Sequence, residues 1–192
     1  MIDGRHPYWS VRASVGQRAE VAGFHFSYYT YRAQSLVDRR TNRAVSVSEF
    51  NDPDFVQGLL NSCPENQDLA FHGLISMRDG SSGYLPLVDM ATPKFSKVER
   101  FQEVLKRLDS ALGAQLTWFS SGRSFHGYGG ALITEREWRK FMGLLLLVNR
   151  PSTEPWVDPR WIGHRLIAGY GALRWSNNSA HYLSEPAALG YE

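Results

Sequence analysis

A single thiol, Cys63, is present in the 192-residue chain. An intramolecular disulfide and a cysteine-based zinc site are therefore excluded, and a cytoplasmic protein is expected. Long apolar runs are missing too. The longest pure aliphatic stretch, Leu144 to Val148, is far too short to cross a bilayer. The opening Met-Ile-Asp-Gly-Arg-His has no apolar run behind a basic start, so neither a secretory signal nor a membrane partner is expected. Charge of one sign is also scarce. The formal net charge is +2, which permits nucleic-acid binding without arguing for it. No internal repeat and no low-complexity segment interrupts the chain.

What is present suits one compact unit with an N-terminal extension, at 43% hydrophobic residues. Aromatic residues at 13% serve either a core or a stacking surface. Arginine dominates the basic residues, and its planar fork suits bidentate anion contacts.

In the N-terminal third, the β-prone run Phe24 to Tyr31 predicts a strand. Asp52-Pro53 predicts an N-cap with proline at the first helical position, and Val56, Leu59 and Leu60 place a helix at 53–61. Leu69 to Met77 and Tyr84 to Met90 predict a hairpin across Asp79-Gly80-Ser81-Ser82-Gly83. Ser96-x-x-Glu99 has the form of a capping box. Behind it Val98, Phe101, Val104, Leu105, Leu108 and Leu112 recur at helical spacing, with Gly113 as the stop. Strands are expected at Gln115 to Phe119 and Ser124 to Ile133. A second capping box, Thr134-x-x-Glu137, opens a helix buried through Trp138, Phe141, Met142, Leu145 and Val148. A proline-rich loop over 149–160, a last strand within Leu166 to Trp175 and a frayed end from Ala187 to Glu192 follow.

From Tyr84 onward this order is strand, helix, strand, strand, helix, strand. The expected fold class is thus α+β, with an RRM-like (ferredoxin-like split βαβ) core over 69–192 and an α/β extension over 1–68. The topology sets the strand carrying Asp89 beside the strand carrying His126.

Three places can carry chemistry. In Leu87-Val88-Asp89-Met90 a carboxylate ends a strand, where it either ligates a divalent metal or begins a turn. In Ser120-Ser121-Gly122-Arg123-Ser124-Phe125-His126 small residues allow close approach to an anion, and Arg123 can fork onto a phosphate. The structural alternative is a hairpin turn with a surface arginine. The third place is Trp156-Val157-Asp158, with Arg165 and Ala172-Leu173-Arg174-Trp175-Ser176-Asn177-Asn178 behind it. Asp158-Pro159 also reads as a helix start, and Ser-Asn-Asn as a loop.

Taken in order, these places resemble the three motifs of the archaeo-eukaryotic primase and primase-polymerase superfamily. Asp89 falls in its acidic first motif, Ser124-Phe125-His126 in its second, and Val157-Asp158 in its third. Leu173-Arg174 with Ser176-Asn177 resembles the segment that trails the third. The resemblance spans about residues 69 to 180. It implies a nucleotidyltransferase that binds nucleoside triphosphate and a single-stranded or primed DNA or RNA, and uses Mg²⁺ or Mn²⁺. Carried over residue by residue, Asp89 and Asp158 would ligate metal and, with His126, form the catalytic set. His126, Arg123, Ser121 and Ser124 would bind phosphate, and Arg174 would assist at the nucleotide or template.

One position departs from the pattern. Ala91 stands where the family carries a second acid in its first motif. The alternative reading is therefore a catalytically degraded primase-like domain that binds nucleic acid, nucleotide or a protein partner. A base-stacking RNA-binding module is a third possibility. It requires exposed aromatics such as Tyr84, Phe125 or Tyr128, whereas Trp118, Trp138, Trp161 and Trp175 read as core.

Overall fold

The computed structural model describes residues 1–110 and 116–189, and its fold is α+β. Leu112, Gly113 and Gln115, at which a helix was expected to end and a strand to begin, lie outside the described residues, as does the end of the tail beyond residue 189. The chain begins with α1 (Pro7–Val11), which runs on into a π-helical turn at Arg12–Gly16. Two strands follow, β1 (Val21–Tyr29) and β2 (Arg40–Ser46), then helices α2 (Val47–Asn51) and α3 (Pro53–Asn61). The Asp52 carboxylate accepts from the Asp54 N–H with Pro53 at the first helical position, as Asp-Pro predicts. Next come β3 (Asp68–Met77), β4 (Ser82–Tyr84) and β5 (Leu87–Asp89). Helix α4 (Phe95–Leu108), strands β6 (Leu116–Ser120) and β7 (Phe125–Gly129) and helix α5 (Glu135–Leu147) follow. Helix α6 (Pro159–Ala168), β8 (Ala172–Arg174) and the short β9 (Ala187–Ala188) complete the order.

The strands form two antiparallel sheets. The first runs β2-β1-β3-β4, with β8 also paired to β3. The second runs β5-β7-β6-β9. One edge of β3 is shared. Its Ala70–His72 half pairs with β8 and its Leu74–Ser76 half with β4. Gly73 sits where the two partners meet. Its N–H donates to the Gly171 carbonyl at 2.8 Å and its carbonyl accepts from Leu85 at 2.7 Å. A Cβ there would stand 2.5 Å from the Leu85 carbonyl oxygen, so only glycine lets the crossing chain approach.

Four expectations need correction. The strand read as Tyr84 to Met90 is two strands in different sheets, parted at Leu85-Pro86, where proline cannot donate to a ladder. Strands β5, β7 and β6 do lie in the split βαβ order, but the last strand of that pattern, β8, pairs with β3 instead of β5. The loop expected over 149–160 gives way at Pro159 to a helix that was not expected, α6, which runs to Ala168, while the strand expected within Leu166 to Trp175 is present as Ala172–Arg174. The Ser96 capping box does not form. Helix α4 starts at Phe95 behind Lys94, with the Phe95 ring packed edge-on against Phe125 at 5.5 Å. The Thr134 box forms in full.

Two apolar clusters result. One packs α1, α2 and α3 on the first sheet through Phe24, Phe26, Phe50 and Phe71. The other packs α4 and α5 on the second through Val98, Phe101, Trp138, Phe141 and Leu145. Tyr84, Phe125 and Tyr128, the aromatics a base-stacking module would expose, are buried. Trp175 joins the layers. It is fully buried, stacks on Phe71 of β3 at 4.7 Å, and donates from Nε1 to the Tyr128 hydroxyl of β7 at 3.1 Å. Truncating it should cost about 3–5 kcal/mol, as for other buried aromatics. No helix among the described residues is long and apolar enough to cross a membrane.

His6 holds α1 to this hub. Its Nδ1 accepts from the Tyr8 N–H at 3.1 Å, so Nε2 donates to the Trp175 carbonyl at 2.9 Å. Protonation would set one N–H against another. Burial pushes its pKa down from 6.5 to about 4. Between those values the unfolded chain binds the extra proton and the folded chain does not. Stability is then full above pH 6.5 and falls as the pH drops toward 4, by roughly 3 kcal/mol from this residue. Urea denaturation at pH 7 and pH 4.5 should show a shallower acid loss in His6→Asn, whose side chain can still cap α1. An unchanged slope would remove His6 from the acid limb.

Candidate functional site

The centre of the site is one cross-strand pair. Asp89 at the end of β5 stands directly opposite His126 of β7 in the antiparallel register. Their side chains share a face, with His126 Nε2 3.7 Å from Asp89 Oδ1, just outside hydrogen-bond reach. Asp158 arrives from the other side. Its N–H donates to the Asp89 carbonyl at 3.0 Å, beside a bridge between Met90 and Val157. Its carboxylate caps α6, accepting from the N–H groups of Arg160 at 2.8 Å and Trp161 at 3.2 Å. The helix-start reading of Asp158-Pro159 is therefore correct, and Asp158 still lines the same cleft as Asp89.

Ser124 locks the pair in place. Its hydroxyl donates to the carbonyls of Met90 and, at 3.0 Å, Thr92, and it accepts from the Thr92 N–H at 3.2 Å. The Ser124 side chain is thus committed to the backbone that follows Asp89. The preceding turn is built around Gly122 at φ +95°, a left-handed conformation that favours glycine. Its Ser121 N–H bonds to the Ser124 carbonyl at 2.9 Å, and its Gly122 N–H to Ser120 Oγ at 3.3 Å. With those two N–H groups taken, Arg123 is the turn's strongest donor. It is exposed at the cleft and makes no hydrogen bond or ion pair among the described residues.

Arg174 of β8 is buried and gathers carbonyls. It donates to Ser176, to Ser184 at 3.0 Å and to Ser121 at 2.8 Å, and lies 3.9 Å over the Tyr182 ring. Its role is structural as well as electrostatic. The polar segment behind it is anchored by a residue outside the motif pattern, the buried Asp68. That carboxylate accepts from Ser176 Oγ at 2.7 Å and the Asn178 N–H at 2.8 Å.

All seven residues singled out in the sequence, Asp89, Ser121, Arg123, Ser124, His126, Asp158 and Arg174, line one cleft of about 280 Å³. Burial, then the negative charge of Asp158, push the Asp89 carboxyl up to about 8 against the opposing pull of Arg174. Burial, then the Arg174 charge, hold His126 well below its usual range, so its ring is neutral. Its Nδ1 is buried without a hydrogen-bond partner. Among the described residues, no group of three or more His, Cys, Asp and Glu could by itself hold a metal ion. Ala91, exposed, does not line the cleft.

A family model now bears on this geometry. Residues 46–187 match the AEP-like family, described as archaeo-eukaryotic primase 1D-like. The chain belongs to that family. The matched stretch covers well over half the chain and contains every one of the seven site residues. No curated protein and no solved structure matches the chain. The protein is thus a primase-like domain.

Sequence reasoning missed part of the primase-like cleft. Arg32, Arg40 and Arg160 line it, and Arg165, noted in the sequence only as following the third motif, joins them, so that six arginines face three aspartates. They come from β2, α6 and the β1–β2 loop, and no local pattern links them. Their only signal was the excess of arginine over lysine.

Removing the Ser124 hydroxyl leaves the Thr92 N–H and two carbonyls short of a partner. Ser124→Ala should lose about 1–3 kcal/mol in urea denaturation and weaken ligand binding only as a consequence. Unchanged stability with lost phosphate affinity would make Ser124 a direct ligand instead.

Proposed function

We propose that the cleft binds a nucleoside triphosphate together with Mg²⁺ or Mn²⁺ and presents it to single-stranded or primed nucleic acid. The convergence of all seven motif positions in one cleft carries this reading. Membership of the primase-like family supports it.

The donor set suits the cation. Asp89 and Asp158 are hard oxygen donors close enough for the charge of one to act on the other. Two carboxylates fit a Mg²⁺ that keeps several waters and takes its other oxygens from substrate phosphates. A cation there would supply positive charge to the phosphate oxygens. Arg123, free to move at the cleft mouth, forks onto a phosphate. His126 is neutral, and its unpartnered Nδ1 offers either a donor or an acceptor according to tautomer. Arg174 is held by three carbonyls and adds fixed positive charge behind both.

Ala91 favours a second reading, a domain that binds nucleotide with little or no turnover. Its side chain contributes no oxygen, so the acids available are Asp89 and Asp158. Calorimetric titration with ATP, with and without Mg²⁺, tests binding under both readings. Arg123→Ala should weaken binding about 10–100-fold, the loss of a charge-assisted contact. Asp158→Asn keeps the helix cap, so it should abolish the gain from Mg²⁺ while leaving the fold intact. Wild-type binding that is indifferent to both changes contradicts the assignment. Mn²⁺-dependent incorporation of labelled nucleotide then separates the active from the inactive reading.

A further inference from the structure

At the far end of the same cleft a second charged cluster stands apart from the motif residues. Arg165 lies seven residues beyond Asp158 on α6, two helical turns and about 10 Å away. Its side chain is 1% exposed. Its Nη2 donates to Asp38 Oδ2, and Arg40 Nε donates to the same oxygen at 2.8 Å. Arg40 also donates to Ser27 Oγ at 3.0 Å and lies 4.3 Å over the Tyr29 ring. Two guanidinium groups therefore share a single carboxylate oxygen. Arg165 Nε and Nη1 are buried with no hydrogen-bond partner. Burial pushes the Arg165 pKa down, opposed in part by Tyr170, whose ring lies 5.5 Å from the guanidinium.

Two guanidinium groups that share one carboxylate leave a net positive charge in a buried place, which is costly, and half-used donors in a cleft wall point to a ligand. Asp38 belongs to the β1–β2 loop. That loop is fastened to α6 by its Ser35 carbonyl, which accepts from Arg160 at 2.6 Å and stands 3.1 Å from His164 Nε2. We infer that Arg40 and Arg165 form a second anion site, and that the Asp38 carboxylate is its resting occupant, displaced by a dianionic phosphate. Charge decides between phosphate types. With Asp38 gone, two guanidinium charges match the two charges of a phosphate monoester, whereas a singly charged diester leaves one unmatched. The site rests on the nucleotide-binding reading only in sharing its cleft. Asp38 and Arg40 precede the stretch that matches the primase-like family.

The test is thermal stability of the whole chain in rising inorganic phosphate. A site that binds only the folded state raises Tm with concentration. Asp38→Asn removes the competing charge and should tighten phosphate binding about tenfold. Arg165→Met should abolish the effect. The double variant Arg123→Ala/His126→Ala, which disables the motif half of the cleft, should keep it. A deoxyoligonucleotide without terminal phosphates serves as the diester arm and should not substitute for phosphate at this site. Phosphate stabilisation that is absent from both wild type and Asp38→Asn overturns the proposal, even if Arg165→Met fails to fold. Stabilisation that survives Arg165→Met but vanishes in the double variant overturns it too, and leaves the nucleotide-binding reading standing. So does a response to the oligonucleotide with none to phosphate.

Discussion

The antiparallel pairing that sets Asp89 opposite His126 is the constraint on which the site depends. It spans only three residue pairs between β5 and β7. So short a ladder would slip without reinforcement, and a slip of β5 by one residue would turn Asp89 away from the face that carries His126. Three contacts prevent it. Ser124 grips the chain beyond β5, the Met90 N–H donates to the Phe125 carbonyl at 2.9 Å, and the Ala91 N–H donates to the Trp156 carbonyl at 2.8 Å. The last of these also draws Asp158 to its place at the head of α6. The serine of the second motif thereby acts on the register that brings the first motif to the histidine.

Electrostatics then separate the two halves of the cleft. The chain as a whole is nearly neutral in charge, yet six arginines face three aspartates in one recess. Charge concentrated in a low-dielectric cleft attracts a polyanion far more strongly than the same charge spread over a surface. At one end the acids are crowded, and Asp89 is pushed toward neutrality. At the other, arginines outnumber their carboxylate. A ligand that carries both phosphate and cation answers both imbalances.

The sequence and the structure agree best where a local rule was sufficient. Asp52-Pro53 and Thr134-x-x-Glu137 cap helices because both ends of each hydrogen bond lie within a few residues. Ser96-x-x-Glu99 has the same form and fails, since the helix starts two residues earlier, at Phe95, whose ring packs on Phe125. The adjacency of Asp89 and His126 followed from element order alone. The seating of β8 against β3 did not, because it depends on the crossing at Gly73 and on Trp175 finding Phe71 and Tyr128. Of the candidate site, the motif half was legible because its residues cluster in three short segments. Of the Asp38–Arg40–Arg165 half, only Arg165 stood out. Asp38 and Arg40 are two residues apart, but Arg165 lies 127 residues beyond Asp38, and only the packing of the β1–β2 loop on α6 brings it to them.

Paramagnetic broadening by Mn²⁺ in the presence of ATP tests the central claim most directly, read on the amide resonances of the isotopically labelled protein. A cation held with nucleotide between Asp89 and Asp158 should broaden the amides of residues 88–91, 125–127, 157, 158 and 160 first. The effect should saturate with ATP and reverse with excess Mg²⁺. Broadening that spreads evenly over the exposed carboxylates, or that ignores ATP, would contradict it.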